Sequence, residues 1–353
     1  MRDVAVIAFA EAPNVARTTG TTNGVEMLVP IFAEVFGQTG LTKSDIDFWC
    51  SGSSDYLAGR AFSFVSAVDA IGAFPPVMES HVEMDGAWAL YEAWVKVLTG
   101  EADVALAYGF GKSSAGDLRR VLALQLDPYV VAPLWPDSVS VAALQARLGL
   151  ETGLWTERAM AEVAAARRAA ALSNPRAQLA GAVDVDELLA APYVADPLRA
   201  HDCAPVTDGA AAVVIAAGDR ARELCERPAW ITGFEHRIDS GSLGARDLTT
   251  APSAAAAGAA ALAGDAAGVE VAELHAPFTH QEILLRSALG LGEATRISPS
   301  GGALAGNPMF AAGLARIGHA ARSVCSGAAS RALGHATSGP VLQQNLVCVL
   351  AAR

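Results

Sequence analysis

The chain is poor in charge, and in positive charge above all. Of its 353 residues 18% are charged, and 25 Lys and Arg stand against 37 Asp and Glu, which gives a formal net charge of −12. Proteins that bind nucleic acid present a stripe of Lys and Arg that displaces counterions from the phosphates, and this sequence has no such stripe. We therefore expect no nucleic-acid partner.

Paired or clustered cysteines are also missing. The five cysteines are scattered without the spacing of zinc ligands or of a disulfide framework. An odd number of cysteines without a framework fits a reducing compartment, so a cytoplasmic protein is expected. The sequence predicts no metal site and no cofactor other than a group that the substrate itself carries.

No apolar run is long enough to cross a membrane. A spanning helix needs about 18 or more uninterrupted apolar residues, and no window reaches that length. Residues 4–10 are apolar but short, so they are interpreted as a first buried strand and not as a signal peptide. The alanine-rich stretch 254–267 contains glycines and an aspartate, and it is interpreted as an interior helix.

Apolar residues are abundant, at 52% of the chain, which is enough for a sizeable core. Short apolar runs alternate with stretches of helical periodicity, a pattern typical of mixed sheets that are covered by helices on both faces. The sequence therefore predicts an α/β fold. Predicted strands cover residues 4–10, 47–51, 104–108, 211–217, 230–234, 271–274 and 346–352, and predicted helices cover 24–37, 86–99, 254–263 and 310–325.

The order of these elements repeats along the chain. A helix followed by residues 45–50 matches a helix followed by residues 269–274, and the long helix from Gly86 with its next strand matches the helix around Gly313 with the final strand. The repeat predicts two duplicated α/β halves, at residues 1–220 and 228–353. An insertion at about 113–196, rich in Ala, Arg, Leu and Pro, is expected to lie over their junction as a lid.

Two segments resemble the active site of a known family. Residues 298–308 read Ser-Pro-Ser-Gly-Gly-Ala-Leu-Ala-Gly-Asn-Pro, which resembles the Gly-Gly and Gly-His-Pro loop of the thiolase superfamily, with Asn307 in place of the catalytic histidine. Residues 83–90 read Glu-Met-Asp-Gly-Ala-Trp-Ala-Leu, which is similar to the Cys-Ser-Thr-Gly-x-x-Ala-Leu segment of the nucleophile, with Glu83 in place of the cysteine. The chain thus resembles a thiolase whose nucleophile has been replaced.

Three further segments extend the resemblance over nearly the whole chain. Residues 102–113 resemble the strand and turn after the nucleophile helix, residues 208–212 an Asp-Gly-Ala-Ala-Ala motif, and residues 271–278 a Glu-Leu-His-Asp-Cys-Phe motif. These forms are those of sterol-carrier-protein-X and lipid-transfer-type thiolases. The chain looks closest to actinobacterial homologues, some of which are retro-aldolases that cut steroid side chains carried as coenzyme A thioesters.

The resemblance implies a thiolase-like fold, in which two duplicated halves with mixed sheets form α-β-α-β-α layers. It also implies an acyl-CoA substrate and either a homodimer or a heteromer with a thiolase-like subunit. Related aldolases further require a small partner with an OB-fold and a zinc ribbon. The apolar run 104–108 fits a dimer or heteromer, and Trp88 and Trp94 are candidates for either an interface or the core.

Glu83 and Asp85 are candidate general bases. In the family a thiolate stands at a helix N-terminus, where the helix dipole favours negative charge. A carboxylate at that place is also favoured in its ionised form, but it does not accept and release an acyl group as a thiolate does. The alternative for either residue is an N-terminal cap or a first-turn acid of the helix.

His275 and Asn307 are candidate hydrogen-bond donors to the thioester oxygen. By the resemblance, His275 helps to form an oxyanion hole or to hold a water, and its imidazole could exchange a proton near neutral pH. Asn307 can donate a hydrogen bond to an enolate oxygen but cannot carry a proton. The alternatives are a buried, hydrogen-bonded histidine and an ordinary Gly-Asn-Pro turn.

Gly301, Gly302 and Gly306 are candidates for backbone contacts to the same oxygen, and Phe278 for contact with the substrate. Cys348 lies near the position of the family's second catalytic cysteine. It lacks the glycine that follows that cysteine in the family, so it is interpreted as a small core residue.

Three other polar residues are weaker candidates. His280 is expected to begin the helix after the His275 motif. Tyr56 and Tyr91 were considered because related aldolases use tyrosine as an acid or base, but neither lies on a matched motif. Tyr91 is interpreted as part of a helix core.

Retro-aldol cleavage of a 3-hydroxyacyl-CoA with a steroid or other bulky lipid acyl group is the reaction that these residues fit. Glu83 or His275 would remove the hydroxyl proton, and Asn307 with a backbone N–H would stabilise the enolate that forms as the Cα–Cβ bond breaks. Two alternatives stay open. One is a non-catalytic subunit of a heteromeric thiolase-like complex, and the other is an acetyl-CoA acyltransferase that uses Cys348 or Cys203.

Overall fold

The computed structural model describes residues 2–19, 24–55, 62–72 and 74–353, so Tyr56 lies outside the described residues. The strands are β1 (Val4–Glu11), β2 (Phe48–Gly52), β3 (Glu79–Val82), β4 (Val104–Lys112), β5 (Tyr193–Ala195), β6 (Leu198–Arg199), β7 (Val206–Ala217), β8 (Ala229–Ile238), β9 (Val271–Glu273), β10 (Arg296–Ile297), β11 (Asn307–Pro308), β12 (Arg331–Ser338) and β13 (Gln344–Ala351). The helices are α1 (Gly24–Thr39), α2 (Ser63–Ile71), α3 (Gly86–Thr99), α4 (Leu118–Leu124), α5 (Ser138–Glu151), α6 (Glu157–Ala170), α7 (Val185–Ala190), α8 (Gly218–Leu224), α9 (Pro252–Leu262), α10 (Thr279–Ala288) and α11 (Ala312–Cys325).

Two half-sheets share one pattern of strand pairing. The first has the order β3-β2-β4-β7-β1 and the second the order β10-β9-β12-β13-β8. In each half the first three strands pair in parallel and the last two pairings are antiparallel. A short antiparallel contact between β1 and β8 joins the two. The predicted α/β fold of layered halves is confirmed, while the boundaries at residues 220 and 228 stay a prediction.

One predicted correspondence between the halves is wrong. Residues 45–50 and 269–274 do lead into β2 and β9, which hold the same place in their sheets. The strand that follows α11, however, is β12 and not the final strand β13. The sequence of β12 reads Arg-Ala-Leu-Gly-His-Ala-Thr-Ser, and its glycine and polar residues break the apolar run by which the other strands were recognised.

Helices α3 and α11 lie between the two half-sheets. Both are rich in small residues and pack into one apolar cluster with the inward-facing side chains of both sheets. A second cluster joins α1 to the outer face of the first half-sheet, and a third joins α9 and α10 to the outer face of the second. Because each sheet is covered on both faces, the layers alternate as α-β-α-β-α.

Trp88 and Tyr91 show how α3 packs between the layers. Trp88 is 6% exposed and belongs to the central cluster, so it is a core residue and not an interface candidate. Tyr91 and Trp94 contact each other and Phe234 of β8. The predicted role of Tyr91 in a helix core is consistent with these contacts.

Strand β4 does not offer a free edge to a partner. It pairs with β2 along one side and with β7 along the other, so the apolar run 104–108 is interior to the sheet. Its apolar character reflects burial on both faces. Strand β3 is the end strand of this half-sheet. Within the described ranges, no helix combines the length and apolar character that crossing a membrane requires.

Candidate active site

A cavity of about 580 Å³ lies between the ends of the two half-sheets and the segment 113–196. Five of the predicted site residues line it. They are Glu83, Asp85, His275, Asn307 and Phe278. Motifs that lie far apart in the sequence therefore meet at one cavity, because both central helices begin there and each half-sheet contributes the loops at its strand ends.

Glu83 lies at the mouth of the cavity, two residues before the cap of α3. Half of its side chain is exposed. One carboxylate oxygen accepts a hydrogen bond of 3.2 Å from the backbone N–H of Asp55, and the other lies 3.5 Å from Nε2 of His81. The carboxylate is therefore oriented by two neighbours and still accessible to a ligand.

Asp85 holds both central helices in place. Its carboxylate accepts hydrogen bonds from the backbone N–H groups of Ala87 at 2.9 Å, Gly313 at 3.0 Å and Leu314 at 2.9 Å. Burial raises the pKa of Asp85, and these three bonds act in the opposite direction. Both oxygens are already engaged, so we assign Asp85 to capping, the alternative to its predicted catalytic role.

His275 and Asn307 form a hydrogen-bonded pair. Nδ1 of His275 accepts from the backbone N–H of Thr337 at 3.4 Å, which leaves the proton on Nε2. Nε2 then donates to Oδ1 of Asn307 at 3.0 Å. The amide group of Asn307 keeps its own N–H donors for a substrate oxygen.

His275 is poorly suited to act as a base. Burial lowers its pKa to about 4, although the bond to Asn307 acts in the opposite direction. At neutral pH the imidazole is uncharged and its lone pair is occupied by Thr337. We therefore correct the prediction that His275 exchanges protons with the substrate: it orients Asn307, and Glu83 is left as the candidate base.

Asn307 is fixed by the sheet beneath it. As part of β11 it pairs with Val206, and its backbone N–H donates to Oγ1 of Thr207 at 3.0 Å. Residues 309–310 then cross close over β4. A Cβ atom at Gly109 or Gly111 would lie 2.2 Å or less from a backbone oxygen of these two residues. These two positions require glycine because the backbones approach so closely.

The three glycines of the 298–308 loop do not contact the cavity. The N–H groups of Gly301, Gly302 and Gly306 bond within the loop, to Ser298 O, Ser300 Oγ and Ala303 O. None of the three lines the cavity. The predicted backbone contacts to a substrate oxygen are therefore wrong, since these donors already have partners and point into the loop.

A buried ion pair holds this loop against the second half-sheet. Oγ of Ser300 donates to Glu273 at 2.6 Å, and Arg316 of α11 donates to Ser300 at 2.7 Å and lies 3.3 Å from Glu273. Since Arg316 and Glu273 are both nearly fully buried, breaking one partner would leave an uncompensated charge. The network is structural and places Asn307.

The opposite side of the cavity is apolar. It is formed by α4, α5 and the residues around them, which belong to the segment predicted as a lid. We call these apolar residues the lid wall: Leu118, Val121, Leu122, Val139 and Val141. We call the opposite polar residues the floor: Glu83, Asp85, His275, Asn307 and Thr337. Phe278 lines the cavity and lies half-buried, in keeping with its predicted contact with the substrate.

The two cysteines considered as nucleophiles, Cys348 and Cys203, do not provide an activated thiolate. All five are free thiols. Cys348 is fully buried in β13, and burial raises its pKa, as the core interpretation requires. Cys203 is the one cysteine among the described residues that line the cavity, and burial raises its pKa to about 12. A neutral thiol is a weak nucleophile.

Sequence reasoning missed the polar residues beside Glu83. Glu79 and His81 alternate along β3 just before Glu83, and Ser51 lies opposite His81 on β2. The pattern Glu-x-His-x-Glu over residues 79–83 carries the period of two that is typical of side chains on one face of a strand. That pattern could have revealed the group. His280, by contrast, is buried in α10 against Gln145 and does not line the cavity.

No protein-family model matches the chain. An acetyl-CoA acetyltransferase of Methanothermobacter thermautotrophicus is 28% identical over 348 residues, which covers 90% of this chain and 89% of the relative. A 17-hydroxy-3-oxo-4-pregnene-20-carboxyl-CoA lyase of Mycobacterium tuberculosis is 28% identical over 207 residues, or 55% of this chain and 53% of the relative.

Two solved structures match the whole fold. An Ltp2-ChsH2(DUF35) aldolase superposes with a TM-score of 0.79 at 18% identity, over 99% of this chain and 98% of that one. Human mitochondrial 3-ketoacyl-CoA thiolase superposes with a TM-score of 0.78 at 16% identity, over 100% and 99%. The fold is therefore the thiolase fold. In sequence the chain is similar, at 28% identity in each case, to the acetyl-CoA acetyltransferase and to the 17-hydroxy-3-oxo-4-pregnene-20-carboxyl-CoA lyase.

Proposed function

We propose that the protein is a carbon–carbon lyase that cleaves a 3-hydroxyacyl-CoA by a retro-aldol reaction. Glu83 takes the proton of the β-hydroxyl group, the Cα–Cβ bond breaks, and its electron pair passes to the thioester as an enolate. A carbonyl compound leaves, and Cα takes a proton from solvent in exchange for the hydroxyl proton that Glu83 has accepted, which completes the shortened acyl-CoA. Glu83 and Asn307, which both line the cavity, are the residues that we assign to the base and to the hydrogen-bond donor.

Asn307 is the donor that we assign to the enolate oxygen. Its side chain lines the cavity beside His275, which fixes the orientation of the amide. A donor held in place before the reaction stabilises developing charge without reorganisation, and losing one such donor typically costs about 10²–10³ in rate. The helix N-termini that Asp85 caps lie at the same end of the cavity.

The lid wall supports a bulky apolar acyl group as the substrate. The lid wall faces the polar floor across a cavity of about 580 Å³. Its residues are Leu118, Val121 and Leu122 of α4 and Val139 and Val141 of α5. Such a volume with mostly apolar lining fits a lipid or steroid acyl chain. The resemblance to a steroid-CoA lyase points the same way, toward steroid or lipid breakdown.

One observation carries the proposal: Glu83 and Asn307 line the same cavity, at the position where the family places its acyl-transfer chemistry. The test is to incubate the purified chain with a 3-hydroxyacyl-CoA that bears a steroid side chain, alone and with a candidate OB-fold partner. Release of the carbonyl product and the shortened acyl-CoA, followed by mass spectrometry, is expected. An untouched substrate under both conditions contradicts the proposal.

A second candidate function is a non-catalytic subunit of a heteromeric complex. Strand β3 ends its half-sheet, and nearby apolar side chains are exposed: Phe62 by 68%, Phe74 by 86% and Met78 by 52%. Exposed apolar residues beside an end strand favour a partner. If the chain binds a thiolase-like subunit that keeps full activity when Glu83 is replaced, this function is the right one.

Acyl transfer is the third candidate, because the relative from Methanothermobacter thermautotrophicus is an acetyl-CoA acetyltransferase. It requires a covalent acyl-cysteine. Cys203 is the cysteine placed to form one, but its raised pKa opposes that role. Labelling of Cys203 by an acyl-CoA, detected by peptide mass spectrometry, would favour acyl transfer over the lyase.

A further inference from the structure

Glu83 belongs to a row of polar side chains that leads away from the cavity. Glu79 and His81 alternate along β3, so their side chains share one face of the strand, and Glu83 comes directly after the end of the strand. Ser51 stands directly opposite His81 in the parallel register of β2 and β3. Strand geometry therefore places Glu79 and His81 next to one hydroxyl group, and His81 also contacts Glu83.

Two hydrogen bonds and one longer contact between His81 and Glu83 connect the members of this row. Oγ of Ser51 lies 3.1 Å from Oε1 of Glu79 and 3.0 Å from Nδ1 of His81. Nε2 of His81 lies 3.5 Å from Oε2 of Glu83, and the ring of Phe64 stacks on the imidazole at 4.7 Å. Stacking and the Ser51 contact hold the ring so that its two nitrogens face Ser51 and Glu83.

We propose that His81 and Ser51 form a proton relay between Glu83 and Glu79, with His81 also positioning Glu83. This inference rests on the proposed function, because it takes Glu83 as the base. Proton transfer along a chain of hydrogen-bonded groups needs each member to donate on one side and accept on the other, and a hydroxyl and an imidazole both do so.

The protons balance at each step. After Glu83 has taken the substrate's hydroxyl proton, it passes a proton to Nε2 of His81, the Nδ1 proton of His81 passes to Ser51, and the Ser51 hydroxyl proton passes to Glu79. Each transfer breaks one O–H or N–H bond and forms another, so Glu83 is again ionised and Glu79 is protonated. Solvent then exchanges the proton of Glu79.

Glu79 is a suitable acceptor at the end of the relay. Burial raises its pKa, while the hydrogen bond from Ser51 and the charge of His81 act in the opposite direction. Other titratable groups among the described residues act on members of the row: Asp55, after β2, interacts with the charge of His81, while Tyr108 of β4 and Cys50 of β2 interact with the charge of Glu79. A carboxyl group that is easier to protonate than usual can hold the proton that Glu83 releases.

The kinetic test compares Ser51→Ala and Glu79→Gln with Glu101→Gln, an exposed acid paired with Lys96 and distant from the row in the sequence. We expect the first two to lower kcat by about 10- to 100-fold at unchanged KM, and to move the acid limb of the pH–rate profile. Ser51→Thr should restore most of the rate. Wild-type kcat and an unmoved profile in Ser51→Ala would overturn the relay.

A second measurement keeps failure of the relay distinct from failure of the proposed function. The ring-nitrogen NMR shifts of His81, assigned by their loss in His81→Gln, report its hydrogen bonds whether or not the protein is a lyase. We expect them to change in Ser51→Ala, Glu79→Gln and Glu83→Gln. Shifts equal to wild type in all three variants would contradict the relay even if lyase activity is found. An inactive wild type with changed shifts would reject the lyase alone.

Discussion

The floor and the lid wall of the cavity are built in different ways. The floor consists of polar groups with fixed partners, such as Asp85 with three backbone donors and His275 between Thr337 and Asn307. The lid wall consists of apolar side chains on α4 and α5, next to exposed Leu124, Tyr129 and Val130. The floor thus fixes the geometry of the reacting groups, and the lid wall selects the shape of the acyl group.

This difference follows from where each region lies in the fold. The floor lies where the central helices begin between two sheets, and buried polar groups there must find partners. The lid wall lies in the segment between β4 and β7, away from the sheets, where apolar residues can change without disturbing hydrogen bonds.

Replacing Asp85, the floor residue that caps α3 and α11, should lower the free energy of unfolding more than replacing a helix cap in the lid. Asp85→Ala leaves three buried N–H groups without their partner, and each costs about 1–3 kcal/mol. The matched control is Asp117→Ala, which removes a cap of α4 that accepts from Arg120 at 3.2 Å and should cost about 1 kcal/mol. Urea unfolding measures both, and equal losses would contradict the contrast.

Acid should weaken the core before it affects the lid. Burial lowers the pKa of His275 to about 4 and the pKa values of His280 and His335 to about 3. Between these values and about pH 6.5, each imidazole is neutral in the folded protein and protonated in the unfolded chain. The free energy of unfolding should therefore fall as pH drops from about 6.5 toward 4, by up to about 1.4 kcal/mol per pH unit for each histidine.

The lid supplies the control for this pH dependence, because residues 113–196 contain no histidine. Urea unfolding at several pH values should show the loss of stability, and hydrogen exchange should show little change in α4 before global unfolding, whereas α5 contacts His280 through Gln145 and does not serve as a control. A stability that is constant from pH 6.5 to 4.5 would show that these histidines do not stay neutral in the folded protein.

Shortening the lid wall should change substrate selection and not the chemical step. Leu122→Ala removes apolar contact from the cavity, and we expect KM for a steroid acyl substrate to rise by roughly tenfold, with kcat nearly unchanged. Leu144→Ala on α5 is the control, since Leu144 is 50% exposed and does not line the cavity. A fall in kcat at constant KM for Leu122→Ala would place the lid in the chemistry.

Removing the cavity cysteine should have the smallest effect. Cys203→Ser keeps a similar shape and removes the thiol that acyl transfer would need. Because burial raises the pKa of Cys203 to about 12, we expect the variant to keep the lyase rate within about twofold of wild type. Steady-state kinetics checks this, and loss of all turnover would revive the acyltransferase alternative.

The same contrast explains how much of the structure could be predicted from the sequence. Strands such as β4 and β7 and the helix α3 were predicted because apolar periodicity is strong in buried elements. The meeting of Glu83 with Asn307 followed from the resemblance and not from periodicity. Strand β12 was missed because its buried residues include Gly334 and His335, which do not form an apolar run.

The roles within the site were harder to predict than its location. Whether Asp85 acts as a base or as a cap depends on the backbone of α11, more than 200 residues away in the sequence. The role of His275 depends likewise on Thr337 of β12. These partners come together only through the pairing of the half-sheets, and no local pattern encodes it.

The central claim is that an ionised carboxylate at position 83 performs the chemistry where a thiolate stands in related proteins. The most direct test is the single-turnover rate of carbonyl release by Glu83→Gln, an amide of nearly the same shape, with a 3-hydroxyacyl-CoA that the wild type cleaves. The account predicts a rate lower by at least about 10²-fold with little change in unfolding free energy, because the side chain is half exposed. A variant that releases the carbonyl product at the wild-type rate would contradict it.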